Sequence, residues 1–438
     1  MDGGTVASKR GNASNEELFL EDKAMKESNR HHRVVIVGGG AAGAGVAHRV
    51  VDQLGCRDVA VIEPSEYHYY QPMWTLVGAG VTPRETTRRP MKALLPGAAT
   101  WIRDAVTAVD PESKVVETAG GERIGYDFLV VAAGLKLDWD RIDGLSRDLV
   151  GKHGICSNYS YDTVPHTWRM LREFEGGTAL FTMPPMPIKC PGAPQKIAYL
   201  AEDWFRRKGI RDRCRVAFYT TTPGIFGVKK YAQALMDQVI RPRNIETHFR
   251  HNLVAIHPEA REAVFENLDT GETVVEKYDL IHVTPPQSPP AFIRDSGLGD
   301  EAGWMDVDQH TLQHKRYPEV FALGDCAGTP NSKTAAAVRA QAPVVARNLG
   351  RVMAGEEPTA KYDGYGSCPL VTGYGRTILA EFVYGGQVRE TFPFDQGKER
   401  LSMYLLKRYV LPWVYWRGLV KGRQWPRPMP RDFGSDAA

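Results

Sequence analysis

Two cysteines stand where a thiol could be reactive. Cys190 lies between Lys189 and Pro191 in a turn ahead of a predicted helix, and Cys368 sits in GYGSCPL, also followed by proline. A neighbouring cation and a helix N-terminus both favour the thiolate, the nucleophilic form of cysteine. Isolated buried cysteines are usually inert, so the surroundings of these two set them apart. Residues 190 and 368 can meet only through the fold. Cys156 is a third candidate, readable as a sulfur relay or as a small core residue. Cys326 reads as packing, and Cys56 and Cys214, which flank predicted strands, read as structural.

A second set of residues could hold a cofactor. Gly38, Gly40 and Gly43 keep G-x-G-x-x-G spacing, with Ala41 and Ala42 between them and Glu63 at the end of the next strand. The first glycine permits a tight turn, the second lets backbone approach a pyrophosphate, and the third lets helix and strand pack closely. The diphosphate then sits at a helix N-terminus, where free N–H groups and the dipole favour negative charge. Glu63 is positioned to accept hydrogen bonds from a ribose. Further on, YPEVFALGDCAG reads as an apolar strand ending in Gly324 and Asp325. In flavin-binding folds such an aspartate bonds the ribityl chain. The next helix, from about Lys333 through Met353, aims its positive end at the flavin pyrimidine.

Ordered elements must position these groups. Val34–Val37 reads as a buried parallel strand, followed by a helix to Leu54 that Gly55 stops and a strand Val59–Ile62. Residues 101–109, 114–118 and 126–133 read as strands. YDFLVVAAG resembles the second flavin-domain motif of two-dinucleotide-domain flavoproteins, which puts a boundary near residues 134–150. A helix near 162–174 and a strand 178–183 open the second unit. A nicotinamide-binding domain would repeat the glycine fingerprint here, but the chain reads MPPMPIKCPGAPQK. Pro184, Pro185, Pro187 and Pro191 forbid a glycine turn feeding a helix N-terminus, so NAD(P)H binding is disfavoured. The helix 195–208 that follows is amphipathic. The expected fold is α/β with two Rossmann-like domains of the FAD/NAD(P)-binding type and a C-terminal membrane-associating segment. The divisions are a disordered leader 1–32, a first flavin part 33–150, a second Rossmann-like domain 151–310, a second flavin part 311–365 and a quinone and membrane-interface region 366–438.

Composition narrows the classes. A net charge of +3 and a 42% hydrophobic fraction describe an ordinary globular chain and exclude a nucleic-acid binder. Six cysteines without a C-x-x-C pair do not make a secreted disulfide framework. No metal-ligand spacing occurs, and no uninterrupted apolar run is long enough for a transmembrane helix. The leader has no apolar h-region, and its acidic residues argue against a transit peptide. The C-terminal run RLSMYLLKRYVLPWVYWRGLVKGRQWPRP interleaves aromatic and apolar residues with Lys407, Arg408, Arg417, Lys421 and Arg423. With Pro412 inside it, this reads as an in-plane interfacial anchor.

These strings carry a resemblance. EPSEYHYYQPMWTLVGAG, IKCPGAPQKIAYLAE, IFGVKKYA, HVTPPQSPP, GDCAGTPNSKTAAAV, YDGYGSCPLVTGYGR and FPFDQGKERLSMYL resemble the sulfide:quinone oxidoreductase family, mitochondrial-like type, over roughly residues 33–425. The resemblance implies that Cys190 and Cys368 form a redox-active, sulfur-bridged pair near FAD. It implies FAD contacts from Ala41, Ala42, Glu63, Gln71, the backbone at Val106, Asp325 and Lys333. Sulfide would open the bridge and leave a persulfide on one cysteine. Two electrons would pass through FAD to ubiquinone or menaquinone in an apolar pocket near the C-terminus, and the sulfane sulfur would leave on glutathione, sulfite or sulfide. Cys156 departs from the mitochondrial-like pattern. A peripheral membrane protein is expected, at a bacterial inner membrane in preference to a mitochondrial one, with a homo-oligomer in keeping with the family. Competing expectations are an NADH:quinone oxidoreductase or disulfide reductase of the same architecture, an exported flavocytochrome sulfide dehydrogenase, and an FAD-binding scaffold or sensor without turnover.

Overall fold

The computed structural model describes residues 30–423. Most of the expected leader, and the chain beyond residue 423, lie outside that range. The first strand begins at Arg30, so residues 30–32 belong to the sheet. It runs parallel to Val59–Ile62 on one side and to Arg123–Val131 on the other. Val34, Val35 and Ile36 are fully buried, as a run of β-branched residues requires when both sheet faces are covered. Val320–Ala322 joins the same sheet by pairing with Leu129–Val131. The chain therefore leaves three neighbouring strands along one edge, at Gly38, Ala132 and Leu323. Helices Ala41–Asp52 and Ala335–Met353 pack against each other beside this sheet.

The expected strand 101–109 is two strands, Thr100–Ile102 and Val106–Asp110. Asp104 makes the break: its carboxylate accepts from the N–H groups of Ala105 and Gly120, so the chain turns there. An Asp that bonds nearby backbone competes with a strand ladder.

The second sheet has five parallel strands in the order 155–156, 280–282, 177–183, 214–220 and 246–249. Helix Ala193–Arg207 buries Ile197, Leu200, Ala201 and Phe205 between this sheet and the hairpin Gly366–Gly373/Arg376–Phe382. The chain returns to the first core early, since Phe292, Ile293, Leu298 and Met305 pack with Val35 and Leu129. A helical run then extends from Leu401 to Arg417, widened to a π turn over Leu406–Val410. Pro412 brings no N–H to the helical ladder, and the wide turn lies just ahead of it.

Candidate active site

Two glycines of the fingerprint stand where no side chain fits. Gly38 has φ +98, and a Cβ there would meet the Ala132 carbonyl oxygen at 2.5 Å. A Cβ at Gly43 would lie 1.8 Å from the Gly38 oxygen, whereas one at Gly40 would point into open space. Gly40 is the N-cap of helix Ala41–Asp52 and offers no side-chain cap, so the first-turn amides of Ala41, Ala42 and Gly43 face that space. Glu63 is held beside it, accepting from Gly39 N and Ser65 N at 2.8 Å each. Gly324 (φ +79) approaches Ala42 closely and donates its N–H to Gln341. Asp325 follows on the same edge, where burial raises its carboxyl pKa and the Lys333 and Lys189 ammonium groups oppose that. Buried Lys333 donates to the Ala327 carbonyl at 3.0 Å and lies 4.3 Å from the Trp304 ring centroid. An open edge at the glycine turn, a carboxylate anchored beside it and a half-buried aspartate between lysines fit FAD. Val106 opens the strand beyond the Asp104 turn, and Gln71 bonds Lys189 Nζ through its side-chain oxygen at 2.8 Å.

The two cysteines meet at the end of the second sheet. The Cys190 loop is tied to the segment entering helix Ala335–Met353: Cys190 N donates to the Lys333 carbonyl at 2.7 Å, and Ala193 N donates to the Cys190 carbonyl at 2.7 Å. Cys190 has φ +50, a conformation that a non-glycine residue keeps only where its surroundings enforce it. Cys368, 3% exposed on the hairpin, comes under Gly192, where a Cβ would lie 2.5 Å from its sulfur. The two thiols are hydrogen-bonded. That bond lowers the Cys190 pKa well below the ordinary thiol value against the effect of burial, and Lys196 and Lys407 lower it further. The same bond, together with burial, raises Cys368 well above it. The pair thus favours a single negative charge, and the Lys196 ammonium 3.4 Å from Cys190 Sγ draws it to that side.

Two lysines complete the site, and neither emerges from the sequence reading as a site residue. Lys196 lies in the first turns of helix Ala193–Arg207, with Nζ 3.4 Å from Cys190 Sγ. Burial disfavours its charge, but the Cys190 and Cys368 sulfurs hold its pKa above the usual lysine value. Lys407, expected at a membrane surface, is instead 3% exposed. It donates to the Pro72 carbonyl at 2.8 Å, and burial and Lys196 push it down to about 7. The same helical run sends Tyr415 to donate to His68 Nε2 at 2.6 Å. Burial lowers His68 to about 4, so its ring is neutral, and Nδ1–H donates to the Gly39 carbonyl at 3.1 Å. This clasp joins the C-terminal run to the phosphate turn.

Cys156 stands apart from the pair. It is fully buried within a strand, and burial pushes its thiol up to about 12. A thiol so placed carries no thiolate at neutral pH, and the geometry favours the core reading over the relay. Burial also raises Cys326, to about 11, and Cys56 and Cys214. Among the described residues no group of three His, Cys, Asp or Glu could hold a metal ion.

Comparison with known proteins decides the lineage. Residues 32–161 match the family model described as pyridine nucleotide-disulphide oxidoreductase. The chain is 47% identical over 406 residues to the mitochondrial sulfide:quinone oxidoreductase of Mus musculus, covering 92% of this chain and 90% of that one. The chain belongs to the sulfide:quinone oxidoreductase family. Its counterpart from Dictyostelium discoideum is 47% identical over 368 residues, covering 84% and 80% of the two chains. A solved sulfide:quinone oxidoreductase from the bacterium Aquifex aeolicus, 20% identical, shares the fold with a TM-score of 0.75 over 90% of this chain and 92% of that one. Sulfide:quinone oxidoreductases thus span two levels of likeness to this chain, one in sequence and one in fold alone.

Proposed function

We propose that the protein is an FAD-dependent sulfide:quinone oxidoreductase in which Cys190 and Cys368 are the sulfur-handling pair. The meeting of these distant cysteines under Lys196, with opposed acidities, supports this reading more than any other observation. The cysteines cycle between a sulfur bridge and two separate sulfurs. Sulfide attack on the bridge forms one S–S bond and breaks another. The sulfur with the lower pKa is the better leaving group, so Cys190 departs as the thiolate and Cys368 keeps the new persulfide. Lys196 and Lys407 stabilise the departing charge in a site that little water reaches. Bound FAD supplies the two-electron acceptor between sulfur and quinone. Gly38, Gly40, Ala41, Ala42, Gly43 and Glu63 would hold its ADP half, with Gln71, Val106, Gly324, Asp325 and Lys333 along the rest. A thiol, sulfite or sulfide then takes the sulfane sulfur from Cys368.

The C-terminal run supports a peripheral place on a membrane. Leu401, Leu405, Tyr409 and Trp413, four residues apart, are 44–60% exposed along it, while no helix among the described residues is long and apolar enough to cross a bilayer. Such a stripe seats an in-plane helix at the headgroup boundary. The preference for a bacterial membrane is left without support, because relatives at 38–47% identity are named mitochondrial. The reading moves to the mitochondrial inner membrane. Serine at Cys190 or Cys368 tests the whole scheme by the loss of sulfide-dependent quinone reduction.

A further inference from the structure

A cluster of cations stands at one end of the exposed apolar stripe. Leu405 and Tyr409 are 44% and 57% exposed, and Arg417, which closes the same helical run, is exposed as well. The residue before it, Trp416, is buried under Arg89, whose guanidinium carbon lies 4.3 Å from the ring centroid. Arg89 comes from strand Arg88–Pro90, which pairs with Tyr67–Tyr69. From that strand the chain passes to Ala93 and Leu94, whose carbonyls accept from Lys421 Nζ at 2.7 and 3.4 Å. Gly422 is fixed in turn: its carbonyl accepts from Gln53 Nε2 at 3.1 Å, and a Cβ there would meet His48 at 2.7 Å. Two segments far apart in sequence are thus held together with Arg89, Arg417, Lys421 and Arg423 at their junction. Lys421 is half-buried and the three arginines are exposed.

Among the described residues no carboxylate pairs with these four cations. Glu66, just ahead of strand Tyr67–Tyr69, is taken by Arg103 at 2.7 Å, and Asp52, beside Gln53, bonds His48 at 3.2 Å. Burial lowers the pKa of Arg89 and of Lys421, and the charges acting on them are all positive: Arg417 on the first, Arg423 and Arg89 on the second. Like charges held together repel, and an arriving anion relieves that. Trp416 takes only the face of the Arg89 guanidinium, so its N–H edge can fork onto a phosphate. Lys421 keeps an N–H beyond those its two carbonyls take. The cluster continues a stripe suited to the headgroup boundary, and a phosphate met there belongs to a lipid. We propose that Arg89, Arg417, Lys421 and Arg423 receive the phosphate groups of anionic phospholipids, so that the protein docks on negatively charged bilayers in preference to neutral ones. The inference rests on the membrane reading of the C-terminal run. It adds the lipid class and the residues that recognise it, one of them outside that run.

Co-sedimentation of the holoenzyme with vesicles of phosphatidylcholine alone, and with vesicles in which part of it is replaced by phosphatidylserine, reads the preference. The wild type should bind the charged vesicles about a hundredfold more tightly or more, at about fivefold for each cation near the surface. Added salt should shrink that difference. Arg417→Gln with Arg423→Gln should remove about twentyfold of it, and Arg89→Gln with Lys421→Gln a similar share. Binding to the neutral vesicles should not change. FAD absorbance checks that each variant is folded, and the exposed pair Arg417 and Arg423 carries the test if the other pair fails that check. Equal binding of the wild type to both vesicles overturns the proposal and leaves the apolar stripe to seat the protein alone. An undiminished preference in the folded variants overturns it too. Binding to neither vesicle sinks the membrane reading itself, and the proposal with it.

Discussion

Lys196 favours negative charge on the cysteine pair. Its ammonium, 3.4 Å from Cys190 Sγ, favours charge on that sulfur. Lys196→Met should raise the Cys190 thiolate pKa by about one unit or more, read as the pH dependence of iodoacetamide alkylation in the reduced enzyme. Lys407→Met should raise it as well, but only below about pH 7, since above that the wild-type amine is already neutral. An unmoved alkylation curve in both variants would leave the lysines without a role. Cys190→Ser and Cys368→Ser should each lower sulfide-dependent quinone reduction by about a thousandfold or more, as removing a member of a reacting unit does. The cysteines are legible in the sequence because their loops are unusual. Lys196 is not, for it sits in PQKIAYLAE as one polar position of an amphipathic helix. Lys407 misleads: a lysine among aromatic and basic neighbours reads as a snorkelling surface cation, and only the fold reveals that this turn faces inward.

Helix Ala193–Arg207 serves the site from both ends. Lys196 reaches the sulfurs, and Asp203, two turns on, takes the tip of the Cys368 hairpin. It accepts from Tyr374 N at 2.7 Å and pairs with Arg376 at 3.3 Å and Arg206 at 2.8 Å. Its side chain is 4% exposed while Arg206 and Arg376 stay 46% and 37% exposed, so its removal leaves the Tyr374 N–H without its acceptor and the cations screened by water. Asp203→Ala should destabilise the protein by about 1–3 kcal/mol, the cost of a buried amide left without its acceptor, measured by denaturant unfolding of the holoenzyme. A loss below about 1 kcal/mol would mean that the hairpin is held by its apolar contacts alone. The C-terminal run likewise has two faces. Lys407 and Tyr415 point into the site, while Leu405 and Tyr409 point outward. Leu405→Glu with Tyr409→Glu should abolish co-sedimentation with phospholipid vesicles and leave sulfide-driven flavin reduction intact. Retained binding would move the membrane contact elsewhere. The sequence carries the amphipathic character of this run, but not which turn faces the protein, because the π turn at Leu406–Val410 shifts the helical phase.

The described residues are built around two sheets with parallel central strands, one ending in a phosphate cradle and one without it. In the first, the glycine turn, Glu63 and Asp325 come to one edge as the spacing requires, because parallel strands bring the ends of distant segments together. In the second, strand Gly177–Met183 runs into Pro184 and Pro185, and no glycine turn leads to a helix. The cysteine loop follows this strand directly. The fold class is readable from strand and helix periodicity. Less readable is the return of the chain to the first core by Phe292, since apolar residues in a loop do not announce which core they join. NADH should therefore leave the bound flavin oxidised over minutes at millimolar concentration, observed by absorbance. The decisive experiment adds sulfide alone, without oxygen, to the purified holoenzyme while the flavin spectrum is recorded. Bleaching or a long-wavelength charge-transfer band, reversed by a soluble quinone, is the expected result. An unchanged spectrum with sulfide, together with bleaching by NADH, would contradict the assignment of Cys190 and Cys368 and favour a nicotinamide-dependent reductase.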